Sequence, residues 1–187
     1  MISEAELRRE ADRVSSYVSK YIRVAGTEKQ QEVLEMFDNM HLLFPYWVIG
    51  TCPMMHPDIH FVSSNCQHIL GYSKEFLLQN SRPEKYFNLV NETDRSDLFS
   101  CIEFMREEME AIPPEEHHEY RCMVHYRFKK GDGNYIFLAD EKASLKLKDG
   151  SLLYYILLRD VTSERPFSGV KAELFHHQNG IRKLKED

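Results

Sequence analysis

Apolar residues recur at helical spacing near the start of the chain. Leu7, Ala11, Val14, Val18 and Tyr21 follow at steps of four, three, four and three, which places them on one stripe of a helix. Ser3-Glu4-Ala5-Glu6 has capping-box spacing ahead of that stripe, and Gly26 stands where a helix would stop. Thr27-Glu28-Lys29-Gln30 repeats the cap, and Val33, Phe37, Met40 and Phe44 repeat the stripe up to Pro45. The pattern predicts two helices filling roughly residues 3–44.

From Tyr46 the period shortens. Tyr46–Gly50 and Ile59–Ser63 predict two short strands, split by a loop holding Pro53 and Pro57. Short helical pieces follow: Lys74–Gln79 behind a Ser73 cap, a turn from Pro83 to Val90, and an amphipathic helix over Glu92–Ala111. Leu98, Ile102, Met105 and Met109 share one face of that helix, and Pro113-Pro114 ends it. Tyr120–Lys130, Tyr135–Lys148 and Ser151–Val161 then predict an antiparallel meander, joined at Gly131-Asp132-Gly133 and Asp149-Gly150. In its first strand Tyr120, Cys122, Val124, Tyr126 and Phe128 share one face, and Arg121, His125 and Arg127 the other. In its last strand Leu152, Tyr154, Ile156 and Leu158 alternate with Leu153, Tyr155 and Leu157. A strand apolar on both sides needs cover on both. The central helices can supply one side; the N-terminal helices or a second subunit must supply the other. The tail Phe167–Asp187 reads as helix, broken near Asn179-Gly180.

Composition narrows the function classes. The 187 residues are 42% hydrophobic and 29% charged, a globular profile. Acidic groups outnumber basic ones, 30 to 24, for a formal charge of −6, which argues against direct nucleic-acid binding through a broad basic surface. Four cysteines are too few for a disulfide scaffold and fit reduced thiols. The apolar runs Leu42–Ile49 and Leu152–Leu158 fall short of the ~20 residues that cross a bilayer. Charges recur through the first turns (Glu4, Glu6, Arg8, Arg9, Glu10), unlike a signal peptide. The expectation is a soluble, cytoplasmic protein with no membrane contact.

Several local motifs lie in an order that carries more information than any one of them. Phe61-Val62-Ser63-Ser64-Asn65 resembles the second strand of a PAS domain running into its first helix. Gly71-Tyr72-Ser73, with Glu75 and Leu77, is similar to that family's GYS-x-E-x-L signature. Asn91-Glu92-Thr93-Asp94-Arg95 resembles its H-P-x-D-R segment without the His and Pro. Tyr120-Arg121 and Lys130-Gly131-Asp132-Gly133-Asn134-Tyr135 are similar to Y-R and K-D-G-x-Y, with an extra Gly-Asp. Asp160-Val161-Thr162-Ser163-Glu164 resembles the D-I-T-E exit. The resemblance spans about Tyr46–Glu164. It implies an α+β fold, a PAS-like antiparallel five-stranded sheet with a belt of short helices, preceded by an N-terminal helical pair. The implied division is residues 1–45 as the helical pair, 46–164 as the sensor domain and 165–187 as a C-terminal linker helix. The family is one of sensor and interaction modules rather than enzymes. The helical N-terminus and the tail Gly180-Ile181-Arg182-Lys183-Leu184-Lys185 further resemble bacterial regulators in which such a domain precedes a LuxR-type helix-turn-helix. That resemblance implies a role in transcription regulation, with DNA contacted only through an output domain outside these residues.

Candidate sites follow. Tyr126 and Phe128, with Phe137, Ala139, Ile156 and Leu158 on the same side, would face Phe61, Ile69, Phe87 and Met105 across the interior. That set could line a pocket for a small hydrophobic ligand or form a filled core; the pattern fits both. Asn65-Cys66-Gln67-His68-Ile69-Leu70 superficially resembles the flavin-adduct motif of light-oxygen-voltage domains. In that family the reactive Cys follows the GYS segment, whereas Cys66 precedes it and reads as a small buried hydrophobe. Haem-binding members take an axial His from the long helix, and Glu92–Ala111 has none. The cofactor therefore stays unknown, with flavin-adduct and haem chemistry disfavoured. Cys52-Pro53-Met54-Met55-His56 and the His56/His60 pair do not share a helical face, and His117-His118 and His176-His177 read as solvated pairs, so no metal site is expected. No G-x-S-x-G elbow or Gly-rich phosphate loop occurs, so no catalytic residues are assigned and a small α+β enzyme is the weakest reading. Leu7, Val14, Val18 and Tyr21 either pack on the sheet or form the seam of a homodimer. Asp160 and Thr162 are either a plain polar strand end or the hinge that passes a signal out. The leading expectation is a sensory domain responding to a small-molecule or protein signal; the alternative is a ligand-free protein–protein interaction module.

Overall fold

The computed structural model describes residues 2–21, 27–51, 59–178 and 182–186. Helix α1 (Glu4–Tyr21) and helix α2 (Thr27–Met40) precede strands β1 (Val48–Thr51) and β2 (Phe61–Val62). Short helices α3 (Cys66–Leu70), α4 (Lys74–Gln79) and α5 (Pro83–Tyr86), two 3₁₀ turns and the long α6 (Arg95–Glu110) make the belt. A third 3₁₀ segment, Pro114–Glu119, leads into β3 (Tyr120–Lys129), β4 (Tyr135–Lys146) and β5 (Leu152–Asp160). Local chemistry sets several of these ends. Ser3 and Glu6 exchange the capping-box bonds at α1. The Ser73 hydroxyl accepts the Phe76 N–H at α4, and Pro83 occupies the first turn of α5.

All strand pairs are antiparallel, in the order β2-β1-β5-β4-β3-β6-β7. The first five strands, with the belt inserted between β2 and β3, form a PAS-like α+β fold. Two corrections concern its end. The sheet has seven strands rather than five, and the tail expected as a linker helix forms β6 (Lys171–His176) and β7 (Arg182–Glu186). Strand β6 pairs with β3 from Tyr120↔His176 to His125↔Lys171. Along it Ala172, Leu174 and His176 turn inward and their neighbours do not. Six residues are too few to separate a period of two from one of 3.6. The open edge of β3, whose peptide groups need partners, decides the outcome.

The main core lies between the belt and the inner sheet face. Val124, Tyr126, Phe128, Leu138, Ile156 and Leu158 meet Leu70, Phe87, Leu98, Cys101 and Met105 there. The other sheet face is covered in two parts. Phe37 of α2, with Val33 and Met40 beside it, packs on Ile49 and Leu153. The segment after β5 lays Phe167 over Phe137, Ala139 and Val161. Helix α1 does not share the sheet with α2. It rests on α5 and α6, with Leu7 and Val14 buried in the main core and Glu10 paired to Arg106 of α6. Both outer-face patches are thus sheltered within one chain. Among the described residues, no helix is long and apolar enough to cross a membrane.

Candidate functional site

Strand register decides which predicted residues meet. Arg127 stands opposite Phe137, Tyr126 opposite Leu138 and Phe128 opposite Ile136. Phe137 and Ala139 therefore point outward, not into the interior as expected. The turn sets this register: Lys130 N–H bonds Asn134 O at 2.8 Å and Lys129 pairs with Tyr135. A slip of one residue moves every side chain to the opposite face. Phe61 is corrected for a similar reason: its neighbour Val62 enters the main core while Phe61 joins the α2 patch. Ile69, Phe87, Met105, Tyr126, Ile156 and Leu158 do converge in the core.

The same register turns two charged residues inward. Asp140 and Lys142 of β4 lie opposite Leu158 and Ile156; the Asp140 side chain is buried and that of Lys142 mostly so. Lys142 Nζ donates to Asp140 Oδ1 at 2.6 Å, and Tyr126 OH donates to Oδ2 at 3.0 Å. The Tyr86 and Tyr126 hydroxyls are 2.5 Å apart. Because the Tyr126 proton is committed to the carboxylate, Tyr86 is the donor of that pair. A continuous polar chain thus runs from helix α5 through β3 into β4. Burial, reinforced by the Asp140 charge, pushes the Tyr126 phenol far above its ordinary pKa, so it stays a donor. Cys122, opposite Lys142, is pushed up to about 12 by burial and remains a thiol. This arrangement can anchor a polar group and couple a helix to two strands. The alternation alone does not reveal it, because the apolar Phe137 and Ala139 fit the inner face equally well. The signal that reveals it is Asp140 and Lys142 two residues apart, once Lys129 and Tyr135 close the turn.

The predicted exit residues form a bracket on β4. Thr162 N–H and Oγ1 both bond Asp160 Oδ1, at 2.9 and 2.6 Å. Thr162 Oγ1 also accepts the Phe137 N–H at 2.8 Å, and Val161 N–H bonds Phe137 O at 2.8 Å. The exit is therefore both a local turn and a clamp on the strand that carries Asp140.

Two of the four histidines expected to be solvated, His117 and His176, are buried instead, while His177 is exposed. His117 Nε2 lies 3.1 Å from both Met109 O and Ile112 O, and its Nδ1 3.4 Å from the Tyr154 hydroxyl. His176 contacts Glu119 at 3.1 Å. His125, on the face read as polar, sits under the segment after β5, where the Arg165 guanidinium donates to its Nε2. Burial first, then the charges of Arg165, Arg159 and Lys171, lowers its pKa to about 4. As pH falls from about 6.5 to about 4, the unfolded chain takes up a proton that the folded chain refuses. Stability contributed by neutral His125 is then lost, about 3 kcal/mol in all at ~1.4 kcal/mol per unit. Urea unfolding across this range will show His125→Gln losing less stability than wild type, with the two curves parallel above pH 7.

The other predicted sites separate. Leu7 and Val14 are buried in the main core, with α1 lying against α5 and α6; the side chains of Val18 and Tyr21 lie outside the described residues. Cys66 is fully buried, with Sγ 3.5 Å from Tyr72 O. Cys52 and His56 lie outside the described residues. Among those described, no group of three or more His, Cys, Asp or Glu side chains is placed to hold a metal ion.

No family model and no curated protein matches the chain. Solved structures that it resembles include a PAS domain from Colwellia psychrerythraea: 14% identity, TM-score 0.47, covering 72% of this chain and 98% of that one. The PAS domain of an HTR-like protein from Haloarcula marismortui gives 16%, 0.43, 71% and 97%. The N-terminal domain of a diguanylate cyclase with PAS/PAC sensor from Marinobacter aquaeolei gives 13%, 0.42, 63% and 95%.

Proposed function

We propose that this chain is a sensory, signal-transducing domain whose input is the interior beneath the belt and whose output is the β5 exit. One observation carries the reading: the buried polar chain and the exit clamp share strand β4. Asp140 closes the chain from Tyr86 and Tyr126, and three residues earlier the Phe137 N–H is held by Thr162. A small, largely apolar ligand with one polar group, seated against Tyr126, would compete for these bonds and shift β4. It acts only if it binds the two β4 arrangements differently. The regulated process we propose is transcription, with DNA contacted by an attached or partner domain in keeping with the net charge of −6.

The test combines native mass spectrometry of the purified protein, thermal melting against a library of small apolar alcohols, phenols and acids, and amide exchange. An interior ligand raises the melting temperature by mass action and changes exchange at Phe137 and Thr162. Thr162→Val will keep the ligand-induced stabilisation but lose the exchange response at Phe137, at a stability cost of about 1 kcal/mol for one hydrogen bond. Exchange at Phe137 that is unaffected by every stabilising compound overturns the reading. A second reading, a ligand-free interaction module, is favoured by one feature. Leu42, Leu43 and Tyr46, between α2 and β1, are 72%, 77% and 76% exposed, and apolar groups bared together mark contact surfaces.

A further inference from the structure

We propose a second binding site, separate from the interior, for a small amphipathic carboxylate. A cleft of about 620 Å³ opens between the start of β2 and helices α4 and α5, bordered by Ile59, His60, Leu78, Gln79, Arg82 and Lys85 among others. That volume falls in the range of small-molecule clefts. Its lining holds two permanent cations and, among the described residues, no carboxylate. The nearest acid in sequence, Glu84, is turned away toward Arg8 of α1, 3.7 Å distant. Among the described residues neither Arg82 nor Lys85 has an ion-pair partner. In a chain with a formal charge of −6, an Arg–Lys pair at a concave surface, with no carboxylate paired to it among the described residues, focuses positive potential there.

The geometry assigns roles. Lys85 Nζ donates to Gln79 O at 3.1 Å, which holds the ammonium beside the cleft and leaves two N–H groups for a ligand. Arg82 is exposed and precedes α5, where its planar fork can meet a carboxylate with two parallel bonds. Ile59 is buried and Leu78 is exposed at the cleft, which supplies an apolar wall for a short hydrocarbon chain. The Ser81 hydroxyl donates to Leu78 O, keeping the α4–α5 turn closed beneath the head group. A charged head and a short apolar tail together satisfy this lining; a neutral or purely polar molecule does not.

Titration of the purified chain with hexanoate, followed by amide NMR at neutral pH and low salt, tests this. Saturable shifts are expected at residues 59–60 and 78–85. Hexanamide, of the same shape without the charge, is expected to bind at least about tenfold more weakly, as is hexanoate to Arg82→Gln/Lys85→Gln. Both substitutions lie on exposed side chains, so the variant is expected to melt as wild type does. Equal binding of hexanamide, undiminished binding by the variant, shifts confined to the interior strands, or no saturation overturns the proposal. The proposal stands apart from the interior reading, because Thr162→Val leaves this titration unchanged.

Discussion

Asp140→Ala will lower the melting temperature by roughly 6–20 °C. The carboxylate holds the Lys142 ammonium at 2.6 Å and the Tyr126 hydroxyl at 3.0 Å, and its own side chain is only 5% exposed. Removing it leaves the mostly buried Lys142 ammonium without its carboxylate and takes one of two partners from the Tyr126 hydroxyl. Breaking one half of a buried ion pair costs about 3–5 kcal/mol, and each kcal/mol moves the melting point of a domain this size by roughly 2–4 °C. Lys142 retains 13% exposure, so partial hydration of the ammonium favours the lower half of that range. The double variant Asp140→Leu/Lys142→Met separates ion-pair loss from simple cavity formation. It removes both charges and refills the volume, so most of the lost stability returns. Equal damage from the single and double variants would show that packing, not charge, governs this position. Since Asp140 ends the polar chain from α5, the double variant also separates folding from signalling: stability returns while any response routed through β4 does not.

How much of this was legible follows from what a sequence pattern can encode. The α6 face of Leu98, Ile102, Met105 and Met109 is written at steps of four, three and four, and it packs on the core, Ile102 only partly buried. Strand positions β1 to β5 are legible for the same reason, since turns at Gly131-Asp132-Gly133 and Asp149-Gly150 punctuate them. The site was less legible because its content depends on pairing. Whether Phe137 or Asp140 faces the belt is settled by a five-residue turn, and either choice gives an alternating strand with acceptable residues on both faces. The tail failed differently. Nothing local in Lys171–His176 distinguishes strand from helix; the unpaired edge of β3, about fifty residues away, does. Helix α1 carries a clear stripe, but a stripe states only that it is covered, not by what. Its destination on α6 was set by the Glu10–Arg106 pair, which spans ninety-six positions.

Gly131→Ala will destabilise the fold by about 3 kcal/mol or more, the upper end of overpacking costs. A methyl built there would lie 2.0 Å from Gly71 O and 2.7 Å from its carbonyl carbon, both main-chain atoms that no rotamer change can move aside. The two glycines meet because Gly131 N–H bonds Leu70 O at 3.1 Å, docking the β3–β4 turn against the end of α3. Gly71 closes that helix in the left-handed region, φ 77°, with its N–H on Gln67 O. Tyr72 follows directly and bonds Lys129 O at 3.0 Å across the same seam. The Gly-Tyr-Ser and Lys-Gly-Asp-Gly segments, read separately in the sequence, are thus two halves of one contact. Separating them would expose Leu70 and Phe128, both fully buried. Gly133→Ala provides the contrast within the same turn. Its φ of 89° strains a side chain, but nothing lies within 4 Å of the added methyl, so the cost is that of a left-handed residue alone, about 1–2 kcal/mol. Urea unfolding of the two variants will rank Gly131→Ala clearly below Gly133→Ala. The reverse order would mean that the turn carries its own stability and that its seam with α3 contributes little.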